Sequence, residues 1–427
     1  MKNIIIITYQ CSPFRGSEYS VAWNHILKMS ADNKITVLYG TSGNHMGDFE
    51  EMNEFLINNC VENVKFIQIA PSKLTRALNV LNVKNIFNYS FYLAYNAWHR
   101  QVYDYVKILI QKEKFDLIHF LCPIGYREPG YLWKFDIPYI WGPICGVNNT
   151  SWKLFKVLSI KGKIRFFIRN IVNILQFNCS LRLKKALKNV DLLLTATTET
   201  KTKFDNRYNT NSIYIPENSL LIPPKLNSEK FALSENKYQL LFVGRLDENK
   251  ACAILLNALT KVKHKELINV NIVGDGPVKP HLEEYVKCNN LDNIVTFHGQ
   301  LPRTEVLKKF EDAHLHIITS LSEANTTVIW EAMTHGVPTL TLDHCGMHDI
   351  VCEKCGIKIP ITNYDQIVSD IAKEIDALLE NPERFETLAN GTIECAQNYV
   401  WDARTRAMNE YYNIAIERHK QSTGNRL

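Results

Sequence analysis

Several features that would assign this chain quickly are missing from it. No run of about 18 apolar residues occurs, so no membrane-spanning helix is predicted. Met1-Lys2-Asn3 ahead of the isoleucines at 4–7 is too short for a secretory leader and has no small-residue cleavage site; a first buried strand is expected instead. No Gly-x-Gly-x-x-Gly follows that strand, which disfavours a dinucleotide oxidoreductase. An Asp-x-Asp metal motif is absent as well. The 11 cysteines are odd in number and scattered, unlike a disulfide framework, and favour a reducing cytosol. Cys352-x-x-Cys355 is the one close pair. Zinc would need a second ligand pair, and nearby only Cys345 with His344 or His348 offers one. These cysteines therefore read as turn and core residues, with no metal or other cofactor expected.

What is present fits a large globular protein. At 427 residues the chain exceeds what one core usually organises, so two domains are expected. The formal charge of +5 conceals an asymmetry: residues 1–215 hold 27 Lys and Arg against 15 Asp and Glu, while residues 216–427 hold 22 against 29. Residues 137–190 contain ten basic residues and no acidic one. Phe155, Leu158, Ile160, Ile164, Phe166, Phe167, Ile168 and Ile171 are interleaved with these cations. A basic, aromatic, amphipathic segment of this kind suits an anionic membrane face, with a solvated helical hairpin as the plain alternative. Nucleic acid is not an expected partner, because no recognition motif accompanies the charge.

Short apolar runs alternate with amphipathic stretches along the whole chain. Residues 4–9, 34–39, 64–69, 117–121, 139–141 and 192–196 read as strands in the first half; residues 239–243, 268–273, 294–297, 315–318 and 339–342 do so in the second. Most are continuous rather than alternating, the mark of a parallel sheet covered on both faces. Pro216 and Pro223-Pro224 punctuate a weakly periodic connection. The expected organisation is a domain at 1–215 carrying the basic segment, a second at 216–400, and a terminal helix at 401–427 returning toward the first.

Two turns carry the chemistry. Val243-Gly244-Arg245-Leu246-Asp247-Glu248-Asn249-Lys250 leaves a strand, and its two cations are placed to embrace a diphosphate. Residues 320–338 read Ser-Leu-Ser-Glu-Ala-Asn-Thr-Thr-Val-Ile-Trp-Glu-Ala-Met-Thr-His-Gly-Val-Pro. Here a strand gives way to a helix that opens near Asn325 and stops at Gly336. The helix N-terminus offers backbone N–H groups and a positive dipole end to a phosphate. Glu323 and Glu331 flank that cradle and suit the hydroxyls of a sugar and a ribose. A glycosidase pair is disfavoured, because eight helical residues rise about 12 Å and rotate the side chains about 80° apart.

With these turns the chain resembles a family 4 retaining glycosyltransferase of the GT-B fold over nearly its full length. Residues 243–250 are similar to that family's Gly-Arg-x4-Lys turn, and residues 320–338 to its S-x-x-E-G-x6-E-A-x3-G-x-P block. The fold implied is α/β, with two Rossmann-like doubly wound parallel-sheet domains facing across a cleft. By that resemblance Arg245 and Lys250 hold the donor diphosphate, Glu331 the ribose, and Glu323 the donor sugar. The backbone at Ala324, Asn325 and Thr326 meets the phosphate, with Gly244 and Gly274 lining the nucleotide. The loop Ser12-Pro13-Phe14-Arg15-Gly16-Ser17-Glu18 is similar to the family's glycine-containing loop. Gly16 is then expected near the donor phosphate, and Arg15 and Glu18 on the acceptor side. His119 matches the cleft histidine beside the reacting carbon, and Gly142 and Gly146 belong to an acceptor-side loop. Two departures stand out: Ala324 replaces the usual glycine, and Ala251 follows Lys250 where glycine is common.

The implied activity is metal-independent, retaining transfer from a nucleotide-diphosphate sugar donor to a saccharide or lipid-linked acceptor. The expected setting is bacterial surface polysaccharide assembly, in the cytoplasm or peripherally on the inner face of its membrane. A nucleotide-sugar epimerase of the same fold is the nearest alternative, but gives the basic segment no role. A noncatalytic partner subunit is the other, and should have lost Arg245, Lys250 or Glu331.

Overall fold

The computed structural model describes residues 1–84, 86–87, 89–231 and 237–424. Residues 232–236, within the expected second domain, and 425–427, at the end of the expected terminal helix, lie outside the described residues. The chain divides into two compact units. The first gathers Met1–Val147, Ile174–Asn218 and Arg404–Leu427; the second gathers Asn148–Asn173 and Ser219–Ala403.

Unit 1 holds seven strands: β1 (Lys2–Gln10), β2 (Asn33–Thr41), β3 (Val64–Gln68), β4 (Leu117–Cys122), β5 (Tyr139–Ile144), β6 (Leu192–Thr195) and β7 (Ile213–Tyr214). They form one parallel sheet in the order β3-β2-β1-β4-β5-β6-β7. The isoleucine run at the start explains the centre of this sheet: Ile4 and Ile6 enter the core on one face, and Ile5 and Ile7 enter the core on the other. A β-branched run buried on both sides is what a parallel strand covered by helices requires.

Unit 2 holds β8 (Tyr238–Val243), β9 (Ile268–Val273), β10 (Val295–Gly299), β11 (Leu315–Ile318), β12 (Thr339–Leu342) and β13 (Gly356–Ile359). These are also all parallel, in the order β10-β9-β8-β11-β12-β13. The strand order reverses between β1 and β4 in one unit and between β8 and β11 in the other. Open α/β sheets bind ligands outside the carboxyl ends of strands at such switch points. In unit 2 that rule selects the turns after Val243 and after Ile318.

One expectation is corrected. The basic stretch at 137–190 was assigned whole to the first domain, but Asn148–Asn173 groups with unit 2. Leu154, Leu158 and Phe166 are buried in the main core of that unit, beside Leu255 and Ile371. Its cations are anchored there too: Lys156 pairs with Asp365 at 2.6 Å and Arg165 with Glu248 at 2.9 Å. Helix Ile160–Cys179 therefore turns Phe166 inward and leaves Ile160, Ile164, Phe167, Ile168 and Ile171 exposed.

Candidate active site

In unit 2 the two turns converge. The backbone N–H of Leu321 donates to the Asn249 carbonyl at 2.7 Å, and Thr319 Oγ1 donates to the Ala251 carbonyl at 3.0 Å. These bonds bring the Gly244–Lys250 turn against the loop after β11. Lys250 Nζ then lies 2.7 Å from Glu323 Oε1 and 3.5 Å from Thr326 Oγ1. Thr326 is the N-cap of helix Thr327–Thr334, yet its side chain makes no capping bond. Three elements of an anion cradle thus meet at one point: an ammonium, a hydroxyl and a helix N-terminus. Arg245 extends from the same turn with 71% of its side chain exposed, 3.7 Å from Asp247. It has the freedom to fold over a bound group.

The two glutamates have separate environments. Glu323 is held by Lys250 and accepts from Asn249 Nδ2 at 3.3 Å. Glu331 lies 3.2 Å from Arg303, a residue at the start of helix Arg303–Asp312. Burial raises the Glu331 carboxyl above the ordinary range, and Arg303 pulls it back down. The two carboxylates thus have different cationic partners, Lys250 for Glu323 and Arg303 for Glu331.

Backbone geometry explains the unusual residues. Ala251 sits in the left-handed region at φ 48°, where glycine is the low-cost residue. At Ala324 the close approach is supplied from the opposite loop. A Cβ on Gly346 would lie 1.3 Å from the Ala324 carbonyl oxygen, and the Gly346 N–H donates to the Glu323 carbonyl at 3.2 Å. Gly274 is fixed by packing: its φ is +138°, and a Cβ there would lie 1.9 Å from the Gly244 carbonyl oxygen. At Gly244 itself a Cβ would only touch the Lys250 alkyl chain at 3.6 Å. Asn325 is buried beneath the loop, where its Nδ2 donates to the Ala324 carbonyl at 2.9 Å.

In unit 1 the expected residues are distributed differently. Arg15 is engaged, with Nε donating to Glu51 Oε1 at 2.7 Å and a second donor on Asn44. Gly16 is exposed, and a Cβ there would meet nothing within 4 Å, so neither space nor φ demands glycine. Glu18 opens helix Glu18–Met29 beyond the carboxyl end of β1. Burial pushes its carboxyl up to about 7, against a hydrogen bond from the Ile124 backbone that lowers it. Gly146 has φ 93°, a conformation that favours glycine.

His119 is corrected outright. Expected beside the reacting carbon, it is 0% exposed in the middle of β4. Its Nε2 meets the Gly142 carbonyl at 2.7 Å and its Nδ1 meets Tyr412 Oη at 3.1 Å. Tyr412 Oη in turn lies 3.1 Å from His25 Nε2. Burial lowers the His119 imidazole to about 4, so the ring is neutral and structural. Gly142 is corrected with it. This glycine is buried in β5 at φ +121°, and a Cβ would lie 2.2 Å from the Leu194 carbonyl oxygen. Packing explains it, not an acceptor.

Asn249 and Arg303 belong to the site and were not singled out from the sequence. Asn249 was legible in principle, since it precedes Lys250 in the turn. Arg303 was not, because nothing local ties it to Glu331.

Two parallel α/β sheets of seven and six strands, each with its own switch point, give the GT-B fold. Sucrose-phosphate synthase from Thermosynechococcus elongatus shares this fold with a TM-score of 0.64 at 18% identity, over 97% of this chain and 98% of that one. A lipopolysaccharide outer core galactosyltransferase does so at 0.63 and 16%, over 95% and 98%. Residues 225–394 match the family model described as glycosyl transferases group 1. Among curated relatives, the sulfoquinovosyl transferase of Arabidopsis thaliana is 27% identical over 41% of this chain and 33% of its own length. A D-inositol 3-phosphate glycosyltransferase of Catenulispora acidiphila is 25% identical over 44% and 46%. The chain thus spans a third to a half of the length of these relatives.

Proposed function

We propose that this chain transfers a sugar from a nucleotide-diphosphate donor to a hydroxyl of a saccharide or lipid-linked saccharide. The observation that carries the reading is Lys250 Nζ, set 2.7 Å from Glu323 and 3.5 Å from Thr326 at the mouth of a helix. Breaking the bond between an anomeric carbon and a diphosphate builds negative charge on the departing oxygen. Donors already fixed in place stabilise that charge most effectively. Lys250, Arg245 and the helix N-terminus supply it from the chain itself. Glu323 faces the donor sugar's hydroxyls and Glu331 the ribose, with Arg303 orienting Glu331. Transfer is read as retaining and metal-independent, with the leaving phosphate as the proton acceptor for the incoming hydroxyl. Similarity to a plant sulfoquinovosyl transferase supports a glycan or glycolipid acceptor.

A peripheral membrane setting in bacterial surface polysaccharide assembly is part of the proposal. Among the described residues no helix is long and apolar enough to cross a membrane. Helix Ile160–Cys179 instead presents exposed Ile164, Phe167, Ile168 and Ile171 alongside Lys161 and Lys163, a face suited to an anionic surface.

The test is a nucleotide-sugar screen by thermal stabilisation, followed by labelled-donor transfer assays with the ligands that stabilise. One donor class should raise the melting point and pass its label to an added saccharide or glycolipid. Epimer formation without acceptor would transfer the assignment to the epimerase. No stabilisation by any nucleotide sugar would remove the donor site.

A further inference from the structure

We infer that Cys352, Cys355 and Cys395 form a soft-cation site that takes one zinc ion, with the fourth position open to solvent or to an external thiol. The donor atoms of these three side chains all lie within 4.8 Å of one another. Cys352 Sγ is 3.5 Å from Cys355 Sγ and 3.1 Å from Cys395 Sγ. All three are free thiols, Cys355 buried and the other two half-buried.

The scaffold explains why the sulfurs meet. Cys352 and Cys355 span a tight turn closed by the Cys355 N–H donating to the Cys352 carbonyl at 3.0 Å. The Cys352 N–H points back at Cys355 Sγ at 3.2 Å. A Cys-x-x-Cys turn with an amide aimed at sulfur presents two thiolates on one side and disperses their charge. Helix Glu383–Ala396 brings the third. Gly391 lets that helix touch the turn, since a Cβ there would lie 1.9 Å from the Lys354 carbonyl oxygen. Thr392 Oγ1 bonds the Cys355 carbonyl at 3.2 Å, and Cys395 follows one helical turn after Gly391 on the same face. The Lys354–Glu394 pair at 2.6 Å clamps the rim.

The chemistry fits zinc. Thiolates at tetrahedral corners about 2.3 Å from Zn2+ stand about 3.8 Å apart, so the observed spacings need only a small expansion. Three thiolates leave a net single negative charge, beside the Lys354 ammonium. Binding displaces the thiol protons to solvent, up to three for each ion. The same small core holds Trp330, Met347 and Ile350, so the ion ties the turn to the support of helix Thr327–Thr334.

The test uses the reduced full-length protein with zinc alone, then iodoacetamide and mass mapping. One equivalent of Zn2+ should survive dialysis. It should slow alkylation of Cys352, Cys355 and Cys395 at least tenfold, while the exposed Cys60, Cys179 and Cys288 react as before. Cys395→Ser should weaken retention at least tenfold. The inference is overturned if the reduced protein retains no zinc, if zinc leaves those three thiols as reactive as before, or if Cys395→Ser retains zinc normally. A disulfide from Cys352 to Cys355 or Cys395 that forms by air oxidation of the reduced protein despite one equivalent of added zinc would also overturn it. Should Cys395→Ser fail to fold, the wild-type protection pattern decides alone.

Discussion

Replacing Lys250 with alanine should separate ligand binding from stability. The Lys250 side chain is 21% exposed and its ammonium lies 2.7 Å from the Glu323 carboxylate, whose side chain is 17% exposed. A unit charge about 4 Å from a phosphate oxygen gains about 4 kcal/mol at the effective dielectric of such a site. Allowing for partial solvent screening, the loss should be about 2 to 4 kcal/mol, or about 30- to 1,000-fold in nucleoside diphosphate affinity. Calorimetric titration with the nucleotide that stabilises the wild type most gives the number directly. The same substitution leaves Glu323 partly buried without its cation, and should lower stability by about 1 to 3 kcal/mol. Adding Glu323→Gln should recover most of that stability while leaving nucleotide binding weak. A Lys250→Ala protein that binds the nucleotide within threefold of wild type would refute the cradle.

Other perturbations test other parts. Glu18 titrates near 7 in the fold against a lower value when unfolded, so the folded state retains a proton that the unfolded chain has lost. Stability should therefore fall by about 3 kcal/mol as pH rises from about 4.5 to 7, and Glu18→Gln should flatten that slope in denaturant titrations. Ala251→Gly relieves a left-handed alanine and should raise stability by about 0.5 to 1 kcal/mol after the entropy of the added glycine is counted; a lower melting point would contradict this. Tyr412→Phe removes the hydroxyl shared by His25 and His119 and should cost about 1 to 3 kcal/mol in chemical denaturation. Changing Lys161, Lys163, Phe167 and Ile168 together to serine should weaken cosedimentation with anionic vesicles and leave nucleotide binding intact; unchanged cosedimentation would leave that face a solvated one.

Features written locally were legible in the sequence. Continuous apolar runs marked the strands, and the turns of residues 243–250 and 320–338, which the structure brings together, stood out because strand, turn and helix are contiguous there. The partners that arrive from far away were not legible. Arg303 reaches Glu331, Cys395 reaches Cys352, and Tyr412 reaches His119 from 293 residues away. His119 was misplaced because a polar residue near a strand end resembles a site residue. Its strand is central, flanked by β1 and β5, and such a position buries the ring. The basic stretch was misassigned because its charge pattern says nothing about which core receives Leu154, Leu158 and Phe166.

The threading of the chain has a consequence for biosynthesis. The amino-terminal body borrows Met408, Tyr412 and Ala415, which follow the whole of unit 2 in the chain. A ribosome delivers those side chains only after unit 2, so the half translated first stays open beneath β4 until the second unit has emerged. Among the described residues the later-translated unit ends at Ala403. It can mature earlier, reversing the usual order in which a nascent protein settles.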